Sequence, residues 1–143
     1  MILFVNACVR EQSRTKRLAD NLLSFLKGTA EEVRLSDIAF PAALKQYLEQ
    51  VSVPGITFTY TEDGLLKGLC AADRLYYVTT AGGQYAPEDF GFGYVRALCR
   101  DLFGIGQAEL IRAVGLDLDG ADVEGILWES IREIFERHGG DEG

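Results

Sequence analysis

Apolar positions along this chain follow two alternating rhythms. At the N-terminus, "ILFVNACV" is apolar without a break from Ile2 through Val5, the pattern of a strand covered on both faces of a parallel sheet. A polar loop, "REQ", follows. Leu18, Leu22, Phe25 and Leu26 then stripe "SRTKRLADNLLSFLKG" at helical spacing, with Ser13 as N-cap and Gly28 as the glycine past its end. "EEVRL" predicts a short second strand. Pro41 at a first helical position opens "PAALKQYLEQV", with Leu44, Tyr47, Leu48 and Val51 on one side. "VPGITFTYTEDGLLKGLC" abandons helical spacing, alternates, and carries a turn signal at Asp63-Gly64, which predicts a hairpin-like excursion over residues 52–69. "LYYV", residues 75–78, is a compact run of large and β-branched residues and predicts a buried strand. A helix follows over about residues 89–103, with Phe92, Val95, Leu98, Leu102 and Phe103 inward and Gly104 as its stop. "AELIRAVGL" predicts a further strand. A last helix, residues 121–137, carries Val123, Ile126, Leu127, Ile131, Ile134 and Phe135, and residues 139–143 form a flexible tail.

Strand and helix alternate four times, which predicts an α/β fold: a single domain over residues 1–143 with a doubly wound parallel sheet between two helical layers and four strands in it. Such sheets bind ligands beyond the carboxyl ends of their strands, near the point where strand order reverses. The loops after Val9 and Val78 both belong to that edge.

Charge and cysteine content narrow the partners. The 22 acidic and 14 basic side chains leave a net charge of −8, the opposite of a nucleic-acid or anionic-membrane binder. Cys8, Cys70 and Cys99 are widely spaced and His138 is the only histidine, which gives no metal site and suits small buried hydrophobes in a reducing cytosol. No apolar run approaches the ~20 residues of a membrane span. The N-terminal stretch lacks the basic region of a signal peptide. A cytoplasmic protein is expected.

Two features of the ligand edge stand out. "RLYYVTTAGG" ends its strand in two threonines, an alanine and the consecutive glycines Gly82 and Gly83. Such a pair can make a tight turn, or it can let backbone approach a flat ligand. Arg14, Lys16 and Arg17 crowd the first turn of the first helix, where cations oppose the helix dipole. A bound anion reverses that penalty: free N–H groups, the hydroxyls of Ser13 and Thr15 and the guanidiniums can hold a phosphate. Alternatively the cations form a solvated face paired with Glu11 or Asp20. There is no GxGxxG and no Walker lysine pattern. A monophosphate joined to a flat ring, as in FMN, fits the hydroxyl-rich loop and the glycine pair together.

The stretches "LFVNACVREQSRTKRLAD", "FPAALKQYLEQVSVPGITFTYTEDG", "LYYVTTAGG", "GFGYVRALCRDLFGI" and "VGLDLDGADVE" resemble the flavodoxin-like NAD(P)H oxidoreductases, the FMN-dependent quinone reductases and azoreductases. That resemblance implies FMN as cofactor, NADH or NADPH as hydride donor, and a quinone or azo compound as small-molecule acceptor. It also implies a homodimer with its active sites at the subunit interface, and chemistry carried by the flavin rather than by a catalytic side chain. By position, Ser13, Arg14 and Thr15 resemble the phosphate loop, and Thr80, Ala81, Gly82 and Gly83 the segment bordering the flavin ring. Phe58 and Tyr60 resemble excursion residues that cover the partner's site, or else they pack inside the hairpin. Ala7 stands where some relatives use a hydroxyl residue and Ala81 where some have arginine. A flavodoxin-like electron carrier and a contracted, flavin-free relative that only dimerises are the alternative functions.

One departure is large. In that family a helix and a central strand, ending in a proline–aromatic motif that helps to bed the flavin, stand between the segments that "EEVRLSDIAFPAALK" joins directly. Asp37 and Ile38 resemble the far end of the motif. The absent unit of about 50 residues is large against ordinary connections of about 4–6. The remaining strands can form a four-stranded sheet with the first strand beside "RLYYVTT". Close-packed interiors tolerate such a shift poorly, so the expectation is a molecule with further residues between Leu35 and Ser36.

Overall fold

The computed structural model describes residues 2–6, 8, 12–26, 28–34, 42–85 and 88–139. Contacts divide the chain into two compact units. The first comprises Met1–Phe40, Val78–Ala86 and Ile111–Gly143; the second comprises Pro41–Tyr77 and Pro87–Leu110.

In the first unit, β1 (Ile2–Asn6) pairs in parallel with β2 (Ala30–Arg34), Ile2 opposite Ala30 and Asn6 opposite Arg34. Helix α1 (Arg14–Phe25) connects them. Its buried residues are Leu18, Ala19 and Leu22; of the expected stripe Leu18 and Leu22 are buried, Phe25 is half-buried and Leu26 is the C-cap. The chain leaves α1 through Leu26, whose N–H bonds the Leu22 carbonyl, and Gly28 follows with φ of 137°. The final helix, α4 (Val123–Gly139), packs on α1. It starts where the Asp122 carboxylate accepts the Gly125 N–H at 3.1 Å, an N-cap bond to the third helical residue. Leu127, Ile131 and Ile134 of α4 are buried. Phe25 meets Phe135 and Trp128 edge-on, with centroids 4.7 and 6.0 Å apart.

The second unit holds α2 (Ala42–Val51) and an antiparallel pair, β3 (Phe58–Tyr60) with β4 (Leu66–Gly68). It also holds one continuous helical stretch, α3, made of a π-helical Asp89–Gly93, an α-helical Tyr94–Ala97 and a π-helical Leu98–Phe103. Gly104 ends α3 in the left-handed conformation, φ 80°, and returns its N–H to the Cys99 carbonyl. Leu48, Tyr77, Phe92, Val95, Cys99, Phe103 and Ile105 form this unit's core.

Two strands, β5 (Arg74–Thr80) and β6 (Gln107–Ala113), begin in the second unit and end in the first, paired with each other. Gln107 bonds Asp73 at one end and Ala81 bonds Ala113 at the other, so the two run in the same direction. The four expected strands therefore appear as two ladders, β1–β2 and β5–β6. Among the described residues no ladder joins one to the other.

Three expectations change. β1 ends at Asn6 and Cys8 is outside it, where the Asn6 carboxamide accepts the Cys8 N–H at 2.9 Å and so offers the backbone a turn in place of a ladder; Ala7 and Val9 lie outside the described residues. The strand is not covered on both faces, since Leu3 is 55% exposed. Thr79 and Thr80 belong to β5 itself, of which only Tyr77 is buried and the rest half-buried. The join at Leu35–Ser36 lies outside the described residues.

Candidate functional site

The first unit brings the ends of three strands together. After β1, the buried Asn6 turns the chain and donates to Glu32 Oε1 on β2 at 2.7 Å. Ser13, in extended backbone, caps α1: its Oγ accepts the Lys16 N–H at 3.2 Å and its carbonyl the Arg17 N–H at 3.0 Å. The first N–H groups of a helix have no intrahelical acceptor, and a cap bond to Lys16 leaves those of Arg14 and Thr15 at the helix tip. Thr15 Oγ1 lies 2.7 Å from Thr80 Oγ1. One hydroxyl pair thus ties the first turn of α1 to the end of β5, across 65 residues of sequence.

Beyond Thr80, the loop after β5 is stitched to the loop after β6. The Ala81 N–H donates to Ala113, Leu116 to Ala81, Asp117 to Gly82 and Gly115 to Gly83, at 2.9, 3.3, 3.0 and 2.7 Å. The two glycines then differ. A Cβ on Gly82 would run into the Asp117 carboxylate, whereas nothing lies within 4 Å of a Cβ built on Gly83. The open approach expected of both glycines is available at Gly83, while the Asp117 carboxylate stands over Gly82. Gly82 makes room for a side chain of the protein itself, and only Gly83 faces open space.

The basic first turn is fully engaged. Arg14 Nη1 meets Asp117 Oδ1 at 2.5 Å, Lys16 Nζ meets Asp20 at 2.6 Å, and Arg17 Nη2 meets Glu124 at 2.5 Å. Asp20 is one of the two partners that the sequence offers for these cations; the other, Glu11, lies outside the described residues. Asp117 and Glu124 are not evident as partners from spacing, yet "VGLDLDGADVE" follows the last strand, so it belongs to the same carboxyl edge as the other two loops.

The remaining candidates fall elsewhere. Asp37, Ile38 and Ala7 lie outside the described residues. Phe58 and Tyr60 belong to the second unit. Phe58 is buried within it and meets the Tyr60 ring edge-on at 5.9 Å, while Tyr60 is 61% exposed. Burial pushes the Cys99 thiol up to about 11 and raises the Tyr77 phenol as well. Both are core groups of the second unit, held neutral by their apolar surroundings. No group of three or more His, Cys, Asp or Glu able to hold a metal occurs among the described residues, and none of their helices is long and apolar enough to cross a membrane.

Residues 38–137 match the family model described as the flavodoxin-like fold. The chain belongs to that family. Among curated relatives, the FMN-dependent NADH:quinone oxidoreductase 2 of Clostridium acetobutylicum is 39% identical over 106 residues, covering 71% of this chain and 52% of that protein. The FMN-dependent NADH:quinone oxidoreductase of Caldicellulosiruptor bescii is 32% identical over 105 residues, covering 70% and 51%. The chain thus spans about half the length of the curated relatives it matches. Of solved structures, the FMN-dependent NADH-azoreductase from Bacillus anthracis in complex with FMN superposes with a TM-score of 0.68 at 18% identity, over 95% of this chain and 97% of that one. A second Bacillus anthracis azoreductase structure gives 0.70 at 17% identity, over 97% and 98%. The flavodoxin-like architecture agrees with the α/β order and the parallel β1–β2 pair described above.

Proposed function

We propose that this chain forms an FMN-dependent NADH oxidoreductase that passes two electrons from the nicotinamide through the flavin to a quinone or azo-type acceptor. The observation that carries the proposal is the Thr15–Thr80 contact of 2.7 Å, which puts the N-terminal turn of α1 beside the strand end that leads to the open face of Gly83. Sequence likeness to FMN-dependent NADH:quinone oxidoreductases over about 70% of the chain supports the same reading. The residues present fit the cofactor. The N–H groups of Arg14 and Thr15, the hydroxyls of Ser13 and Thr15 and the Arg14 guanidinium would hold the phosphate. Thr80, Ala81 and the open face of Gly83 would border the ring. When bound, FMN supplies the redox chemistry, accepting hydride and releasing two electrons. The chain's own part is to bind, to orient, and to set backbone donors near the ring where negative charge grows on reduction.

The reading extends to a homodimer. Ile56, Tyr60, Leu65 and Leu69 of the β3–β4 region are 70, 61, 67 and 40% exposed, an apolar display that suits a second copy and would make Tyr60 the covering residue. Three free cysteines and an acidic charge balance support a cytoplasmic protein without nucleic-acid or membrane partners.

The test is direct. Purified chain incubated with FMN and desalted is expected to keep a flavin absorption band, and the complex to oxidise NADH only when a quinone is supplied. A retained flavin without NADH turnover would indicate an electron carrier; no retained flavin would indicate a flavin-free relative. Arg14→Glu is expected to weaken FMN about tenfold or more, because it removes a charge-assisted bond and adds a repelling carboxylate. Riboflavin, which lacks the phosphate, should lose little. Equal losses for both would show that Arg14 serves the fold alone.

A further inference from the structure

The Asp117 carboxylate occupies the Arg14 guanidinium, which the cofactor reading needs, and the space over Gly82, next to the open face of Gly83 where that reading puts the ring. Its position is built in. The Asp117 N–H is fixed to the Gly82 carbonyl at 3.0 Å, and Gly115 and Leu116 are fixed to Gly83 and Ala81 on either side. Its Oδ1 meets Arg14 Nη1 at 2.5 Å, and its carboxylate fills the volume of the Cβ that Gly82 lacks. We propose that Asp117 is an internal anion that competes with the ligand phosphate for Arg14, and so sets how strongly the site prefers FMN over its unphosphorylated counterpart. This rests on the flavin reading above.

The energetics suit a competitor. Both partners reach solvent, Arg14 at 39% and Asp117 at 68% of their side-chain area. An exposed pair of this kind is weak, and a phosphate matches a guanidinium more strongly than one carboxylate oxygen does. The carboxylate therefore yields when phosphate arrives. Until then it holds the guanidinium against the loop after β6, and its charge opposes the incoming anion. Aspartate and asparagine have the same shape, so Asp117→Asn removes the charge and leaves the space over Gly82 as filled as before.

The experiment titrates the purified chain with FMN and with riboflavin, following quenching of flavin fluorescence, for the native protein, Asp117→Asn and Asp117→Ala. Asp117→Asn is expected to bind FMN about fivefold more tightly, the scale of one exposed ion pair, and riboflavin unchanged. The gain should shrink as salt rises, because exposed charges are screened. Asp117→Ala also clears the space over Gly82 and is expected to improve both flavins. Native protein that prefers FMN to riboflavin, with Asp117→Asn no tighter or weaker for FMN, overturns the competition and leaves the flavin reading intact. Failure of all three proteins to bind either flavin overturns the flavin reading, and the competition with it.

Discussion

Gly68→Val is expected to destabilise the protein by about 3 kcal/mol or more, the upper range for forcing volume into a packed site. Gly68 ends β4 directly against the end of α3. A Cβ there would collide with the Phe103 carbonyl group and the Gly104 amide, which are backbone atoms rather than a side-chain tip that can swing aside. The surroundings are pinned. The Cys70 N–H bonds the Phe103 carbonyl at 3.2 Å, Gly104 closes α3 in a left-handed conformation that other residues resist, and Phe103 and Ile105 are core residues. Relief would have to come from parting β4 from α3 or unwinding the last turn of α3. Either exposes Phe103, so a large part of a typical 5–15 kcal/mol stability is lost. Urea denaturation followed by circular dichroism checks this, with Gly106→Ala as control, since nothing lies within 4 Å of a Cβ at Gly106. A Gly68→Val melt matching the native one would show that β4 and α3 do not depend on close backbone approach.

Which parts of this molecule the sequence displays depends on how local their causes are. The Ser13 cap, the Leu18 and Leu22 stripe and the stop at Gly104 each follow from residues within one or two helical turns, and each occurs where the pattern places it. Strand limits are less visible, because pairing partners and side-chain competitors decide them. Asn6 bonds Cys8 at the end of β1, a contact that an apolar pattern does not register, and Leu3 is exposed within an apolar run that reads as covered on both faces. The site shows the same division. The hydroxyl-rich loop and the glycines can be read as types, and Thr15 and Thr80 do meet. The Arg14–Asp117 pair joins residues 103 positions apart, and no spacing rule links an arginine at the start of a helix to one particular carboxylate in a distant loop. Gly82 and Gly83, alike in sequence, differ for that reason alone: Asp117 stands over the first and not over the second.

The second glycine therefore gives the sharper functional prediction. Gly83→Val is expected to leave stability within about 0.5 kcal/mol of native, as surface changes usually do, while lowering affinity for FMN and riboflavin alike by an order of magnitude or more. A Cβ at Gly83 meets nothing within 4 Å, and Gly83 is not among the glycines with positive φ, so a branched residue can be accommodated without backbone strain. The N–H of Gly115 still reaches the Gly83 carbonyl at 2.7 Å, a bond that a side chain leaves in place. What changes is the open space, into which two methyl groups would project where the proposal puts the ring edge. Because the obstruction meets the ring and not the phosphate, riboflavin should suffer with FMN, in contrast to Arg14→Glu, which should spare it. Paired thermal melts and flavin titrations separate the outcomes. A native melt with native affinity for both flavins would place the ring somewhere other than beside Gly83, and a lost melt would show that the loop after β5 is packed more tightly than its open face implies.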